Sequence, residues 1–338
     1  MARDRATVSG EFRLDEEPAA GVGAAIDAVD PGAERAAGEN FPVALRVLPT
    51  SRRRYLMAVY GFARTADDIG DRAPPEQRLR LLDELEADLR RLYARDGARG
   101  AGGTGDPGGI SGPVGDGESG RAGADAGPGG DDTQPRSRVV RALGPAVTDC
   151  GIPVQPFLDL IQANRQDQVV SRYQTFEDLV GYCRLSANPV GRIVLHVFGS
   201  FSAPRAELSD SICTALQLAE HWQDVAEDLR AGRIYLPAQD MDRFGCTEED
   251  LAQASAPPQV RALIAFETGR ATALLDAGAP LIGTLRGAAR AAVAGYVAGG
   301  RAALAAITAA DHDVLRVTPR PRKPYLAAQL VLAYARGR

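Results

Sequence analysis

Apolar side chains recur at three- and four-residue intervals along most of this chain, the spacing of helices that bury one face. The run Leu79, Leu82, Leu85, Leu89 and Leu92 follows Pro74 and Pro75, where proline suits a first helical turn. Before it, YLMAVYGFA (55–63) is apolar nearly all round and predicts a helix pressed into a core. Thr175 with Asp178 and Thr247 with Asp250 predict capping boxes, and Gly232 predicts the end of a helix over about 207–230. Period-two alternation is nearly absent, so strands are not expected. The pattern predicts a single all-α domain over 37–338, helical nearly throughout 37–96 and 136–338.

Two segments break the pattern. Residues 1–36 are polar and rich in Gly and Ala, and 97–135 hold 15 of the 37 glycines with almost no large apolar side chain. Neither can bury enough apolar surface to offset ordering, so both are predicted disordered. GTGDPG (103–108) matches a dinucleotide fingerprint in letters only, since no strand precedes it and Pro107 disfavours a following helix.

Composition narrows the function. Net charge is −5 and Lys323 is the only lysine among 39 basic residues, so no nucleic-acid partner is expected. Cys150, Cys183, Cys213 and Cys246 form no metal-type pair, which predicts reduced thiols. The N-terminus lacks the apolar stretch of a signal peptide, and the Ala-rich segment 271–310 is punctuated by Asp276, Arg286, Arg290 and Arg301. These features predict a soluble cytoplasmic protein, peripheral to the membrane at most.

Chemistry concentrates in two stripes. Tyr60, Arg64, Asp67, Asp68 and Asp71 share one helix face, and Gln217, Glu220, His221, Asp224 and Asp228 share another. Either alone reads first as a solvated acidic face. Together, each beside core residues such as Ile69 or Leu218 and Trp222, they bring like charges into partly dry surroundings, which calls for a cation between them. Magnesium takes a few carboxylates and completes its shell with water and phosphate oxygens, so facing acidic helices can grip a diphosphate. Arg54, Arg64 and Arg233 suit phosphate oxygens. Trp222 reads as core, and His221 as an imidazole bonded to Asp224 or as a proton carrier.

LPTSRRRYLMAVYGFARTADDIGD (48–71) and QLAEHWQDVAEDLRAGRIYLP (217–237) resemble the two metal-binding helices of the squalene and phytoene synthases. The resemblance spans about 37–325 without the glycine-rich insert and implies a class I isoprenoid synthase bundle around a central cavity. It assigns Asp67, Asp68, Asp71, Asp224 and Asp228 to Mg2+, and Tyr60, Arg64, Gln217, Arg233 and Tyr235 to the diphosphate and cation pocket. Tyr182, Ala187 and Asn188 fall at a helix kink, for which Pro189 is a physical cause. Arg316 matches a basic residue near the diphosphate. Glu220 replaces the family's usual Asn, either as a further metal ligand or as a change of local charge.

NFPVA (40–44), YCRLSANPVGR (182–192) and WQD (222–224) are similar to the hopanoid-cluster branch, while phytoene synthases usually carry Arg at the place of Gln223. That branch implies conversion of presqualene diphosphate to hydroxysqualene, with Asn188 and Gln223 as candidates to place the water. It also implies hopanoid-pathway partner enzymes that make the diphosphate and reduce the alcohol. The alternatives are head-to-head condensation of two farnesyl or geranylgeranyl diphosphates, and a non-catalytic helical binding protein. An oily product implies transient membrane contact, and the apolar segment 325–338 either lies on lipid or packs on the domain.

Overall fold

The computed structural model describes residues 48–101, 134–321, 329–330 and 332–335. The predicted tail 1–36, the GTGDPG motif and Lys323 lie outside these residues. Among the described residues there is no strand, and the single β-bridge joins Arg172 to Ile234.

The chain runs through helices α1 (Thr50–Arg72), α2 (Pro75–Ala101), α3 (Arg138–Cys150), α4 (Gln155–Gln166), α5 (Phe176–Ser186), α6 (Asn188–Val197) and α7 (Ala203–Gln223). It continues through α8 (Val225–Arg230), α9 (Ala238–Phe244), α10 (Glu248–Leu251), α11 (Pro258–Gly278), α12 (Leu281–Thr284) and α13 (Gly287–Ala309). α2 reaches Ala101, past the boundary at 97 read from the glycine content. Both capping boxes form. The predicted kink is present: α5 ends at Ser186, and α6 restarts at Asn188 with Pro189 in its first turn. The helix expected over 207–230 is two pieces, because Asp224 (φ −106°, ψ 16°) leaves helical geometry between α7 and α8.

Burial follows the sequence period closely. α1 buries Leu56, Val59, Phe62, Ala66 and Ile69. α2 buries Leu82, Leu85, Leu89 and Leu92, whereas Leu79, expected on that face, is 48% exposed; Leu81 takes its place inside. Two apolar clusters result. One joins α1, α2, α3 and α4 around Phe62 and Phe157, whose rings meet edge to face at 5.2 Å. The other joins α5, α7, α11 and α13 around Trp222, Ile264 and Val297. α6 serves both, giving Ile193 and Val197 to the first and Leu195 to the second. Each large side chain buried in this way contributes about 1.5–3 kcal/mol, so the bundle is held on both sides of the seam where the site lies.

α11 crosses α7 closely at Gly278, where an added Cβ would lie 2.6 Å from the Leu208 carbonyl oxygen. Gly278→Ala is expected to cost about 1–3 kcal/mol by overpacking. Gly269→Ala in the same helix, with open space around it, should be neutral or stabilising by up to about 1 kcal/mol. Urea denaturation of both variants checks the contrast.

α11 is also pinned by charge. Arg270 reaches Asp240 of α9 at 2.6 Å and Glu267 at 3.2 Å, both carboxylates being buried, and its guanidinium lies over Phe176 and Phe266. α13 is long and apolar enough to cross a membrane by length and composition, but it packs against α7 and α11. At the C-terminus, Ala333 is buried, and Arg290 donates to the Tyr334 carbonyl at 2.7 Å and lies over its ring. The described part of 325–338 therefore packs on the domain, with Leu332 and Tyr334 left exposed.

Candidate active site

α1 carries the first stripe along the seam. Asp67 and Asp71, four residues apart, share one face and are open to solvent. Asp68 turns a third of the way round the helix, is buried, and is clamped by Arg64 at 3.0 Å and Arg72 at 3.1 Å. Of the three aspartates expected to hold metal, Asp68 is thus already neutralised by two guanidinium groups. Arg64 serves that clamp, and Tyr60 is half-buried one turn before it.

Opposite α1, the chain after α8 presents Arg233, which meets Asp71 at 3.1 Å. This contact, across 162 residues of sequence, brings the segment that follows the second acidic stretch to the end of the first. α4 supplies two groups that the stripes did not include. Asn164 donates to Asp67 at 3.1 Å, and Asp167 follows the last turn. One Asp167 oxygen accepts from the Tyr182 hydroxyl at 2.8 Å, and the other is buried without a partner. Asp167 lay outside the predicted site because a single carboxylate at a helix end has no period; its only signal was the polarity of RQD after an apolar helix.

The electrostatics show unresolved negative charge. Loss of bulk solvation pushes the carboxyls of Asp67 and Asp167 up to about 6 and that of Asp228 up to about 7, and neighbouring carboxylates add to each. Asp67 is reached by water yet lies deep amid protein, as expected of a group lining a cleft. Asp224 is also raised, by burial first and then by Glu227, while Arg320 opposes the shift. Glu220, exposed, adds to the repulsion on Asp228. Arg233 stands among these groups and cannot neutralise them all; its own pKa is raised by Tyr235, Asp167 and Asp71 against the cost of burial.

Beside the carboxylates is a wall of rings. His221 stacks on Tyr235 at 3.7 Å, and Tyr173, Tyr182 and Tyr235 lie within 5.6–5.9 Å of one another. His221 is not bonded to Asp224; Gln217 Nε2 donates to its Nε2 at 3.2 Å. Burial drops its pKa to about 3, so the ring is neutral and is no proton carrier near pH 7. Trp222 is fully buried core, as expected.

Several predicted residues stand elsewhere. Arg54 lies 13 residues before Asp67, about 20 Å along α1, and its guanidinium rests near the Tyr55 ring. Arg316 is exposed in an open groove of about 790 Å3 with Arg261 and Arg320; Arg320, not Arg316, acts on Asp224. Asn188 is buried and accepts from Thr214 at 3.0 Å, and Gln223 donates to the Pro319 carbonyl, so neither amide is directed at the carboxylates through these bonds. A second hollow, of about 520 Å3, lies at the far end of α1.

Do these residues suit Mg2+? Among the described residues no three acidic, imidazole or thiol side chains are close enough to hold an ion alone. The donors are nonetheless hard oxygens, three carboxyls are destabilised by burial and by carboxylate neighbours, and one buried Asp167 oxygen is unpaired. That suits an ion that draws most of its shell from water and phosphate. Tyr182→Phe would strip Asp167 of its last described donor and is expected to lower kcat/KM about tenfold or more, with melting temperature measured alongside to separate misfolding.

A helical bundle whose separate helices bring aspartates and an arginine to one aromatic seam defines the isoprenoid synthase class. The family model for squalene/phytoene synthases matches residues 34–326. The chain belongs to the squalene/phytoene synthase family. It is 33% identical over 252 residues to a hydroxysqualene synthase of Rhodopseudomonas palustris, covering 73% of this chain and 72% of that one. A phytoene synthase of Mycobacterium tuberculosis is 28% identical over 73% of this chain and 70% of its own length. Among solved structures, squalene synthase HpnC from Alicyclobacillus acidocaldarius is 36% identical, with a TM-score of 0.67 over 86% of this chain and 94% of that one. A dehydrosqualene synthase at 22% identity shares the fold, with a TM-score of 0.69 over 93% and 95% of the two chains.

Proposed function

We propose that this enzyme ionises presqualene diphosphate with Mg2+ and captures the cation with water, giving hydroxysqualene and pyrophosphate. The observation that carries this reading is the convergence of Asp71, Asp167 and Asp228 on Arg233 from separate parts of the chain. The likeness to hydroxysqualene synthases supports the branch.

The carbon–oxygen bond to the diphosphate breaks with both electrons leaving on oxygen; water then forms the new carbon–oxygen bond and gives up a proton. Bound Mg2+ would supply charge stabilisation to the departing group, held by Asp67 and Asp71 on one side and Asp224 and Asp228 on the other. Arg233 is placed to donate charge-assisted bonds to the same oxygens. Tyr173, Tyr182 and Tyr235 bound this side of the seam with aromatic rings, a surface that attracts a cation rather than repelling it. A neutral His221 fits this role, because an imidazolium there would repel the cation. An oily product leaves into lipid or to a partner, which favours work in the cytoplasm beside a membrane.

Purified protein with Mg2+, without NADPH, is to be given presqualene diphosphate or farnesyl diphosphate and the products analysed. Hydroxysqualene from the first substrate is expected. Turnover of farnesyl diphosphate alone would replace this reading with head-to-head condensation.

A further inference from the structure

The end of α1 remote from its aspartates holds a second concentration of charge, of the opposite sign. A groove of about 520 Å3 there is lined by Arg52, Arg205 and Arg286, with Pro49, Ser200 and Thr284 between them. Arg52 lies 19 residues before Asp71, about 28 Å away along the helix, so this groove is separate from the diphosphate seam.

Each arginine comes from the start of a different helix: Arg52 from the first turn of α1, Arg205 from that of α7, and Arg286 from the N-cap of α13. None of these three helices has an acidic residue in its first turn or a side-chain cap. Helix N-termini repel cations and favour anions, so three arginines at three N-termini is an arrangement that folding alone disfavours. Arg205 is bound only by neutral acceptors, the Thr284 hydroxyl at 3.2 Å, the Thr284 carbonyl at 2.7 Å and the Ser200 carbonyl at 3.0 Å. No carboxylate lines the groove, and among the described residues no ion pair includes any of the three. Elsewhere in the molecule, Arg165, Arg261 and Arg270 each hold two carboxylates. Phe201, 45% exposed beside Ser200 and stacked on His196, projects an aromatic face next to the groove.

We propose that this groove binds a phosphate-bearing anion, either free in solution or as the headgroup of an anionic phospholipid. Guanidinium groups match phosphate oxygens in geometry and charge, and the uncapped helix amides add donors of the same preference. The inference stands apart from the proposed reaction and survives if that reaction is wrong.

The test compares full-length wild type, R52Q/R286Q, and R80Q/R90Q as a charge-matched control on the outer face of α2. Arg205 is kept because it ties α7 to the α12 end. Without Mg2+, each protein is sedimented with phosphatidylglycerol or phosphatidylcholine vesicles, and its melting temperature is followed against inorganic phosphate. Wild type and control should respond in at least one anionic arm. R52Q/R286Q should be weaker in that arm by about tenfold or more, the loss of two charged hydrogen bonds, with an unchanged or higher melting temperature in the absence of anion. A response to phosphatidylglycerol alone assigns a lipid source, and a response to phosphate a soluble one. The proposal fails if wild type responds to neither, if R52Q/R286Q matches wild type in both, or if the control loses as much. Should the double variant not fold, Arg286→Gln, at an exposed position, carries the same comparison.

Discussion

Asp228→Asn is expected to lower turnover by about a hundredfold or more, the scale for removing one preorganised electrostatic group, while making the ligand-free protein more stable above neutral pH. The two effects have one cause. Burial and the neighbours Asp224, Glu227 and Glu220 raise the Asp228 carboxyl from 3.8 to about 7. The folded state therefore holds a proton that the unfolded chain releases near pH 4. Stability from this group is present below about pH 4 and is lost as pH rises through about 7. Asparagine removes that loss, and with it the sensitivity between those limits. Asp67 and Asp167, raised to about 6, impose the same sign over a narrower window. Urea denaturation from pH 4 to 8, beside steady-state turnover at pH 8, gives both readouts. Mg2+ with pyrophosphate should raise the melting temperature of wild type more than that of the variant. A variant that keeps its turnover would remove Asp228 from the site.

Arg270→Ala is expected to have the largest effect on stability, a loss of about 3 kcal/mol, because it leaves a buried charge without its partner. Asp240 and Glu267 are 3% and 0% exposed, and Arg270 is the cation both of them meet. Burial already pushes Glu267 up to about 8, so this residue is protonated at neutral pH, and the shorter contact of Arg270 is with Asp240 at 2.6 Å. The variant also loses the stacking of the guanidinium on Phe176 and Phe266, which ties α5 to α11. Adding Asp240→Asn to Arg270→Ala should restore part of the loss, since an amide is far cheaper to bury than a lone carboxylate. Denaturation midpoints of the single and double variants test this. No recovery would mean that the stacking, rather than the ion pair, holds α11 in place.

Helical character, the two acidic stretches and the kink before Pro189 were legible in the sequence because each is local. Period, capping residues and proline stereochemistry act within a turn or two and need no partner. Spacing told which residues share a helix face, and so joined Asp67 to Asp71 and Leu82 to Leu85. It could not tell which neighbour each face would meet. Only packing turned Asp68 into the clamp of Arg64 and Arg72, left Leu79 outside, and carried Arg54 away from the chemistry along a straight rod. Packing likewise broke the second stripe at Asp224, gave His221 to Gln217 and Tyr235, and brought Asp167, Asn164 and Arg320 to the seam. The sequence by itself determined the helices, the family and the two acidic stretches. The tertiary structure decided their company, because the charge on a carboxylate depends on the solvent it loses and the groups it faces, and these come from chain segments up to 162 residues apart.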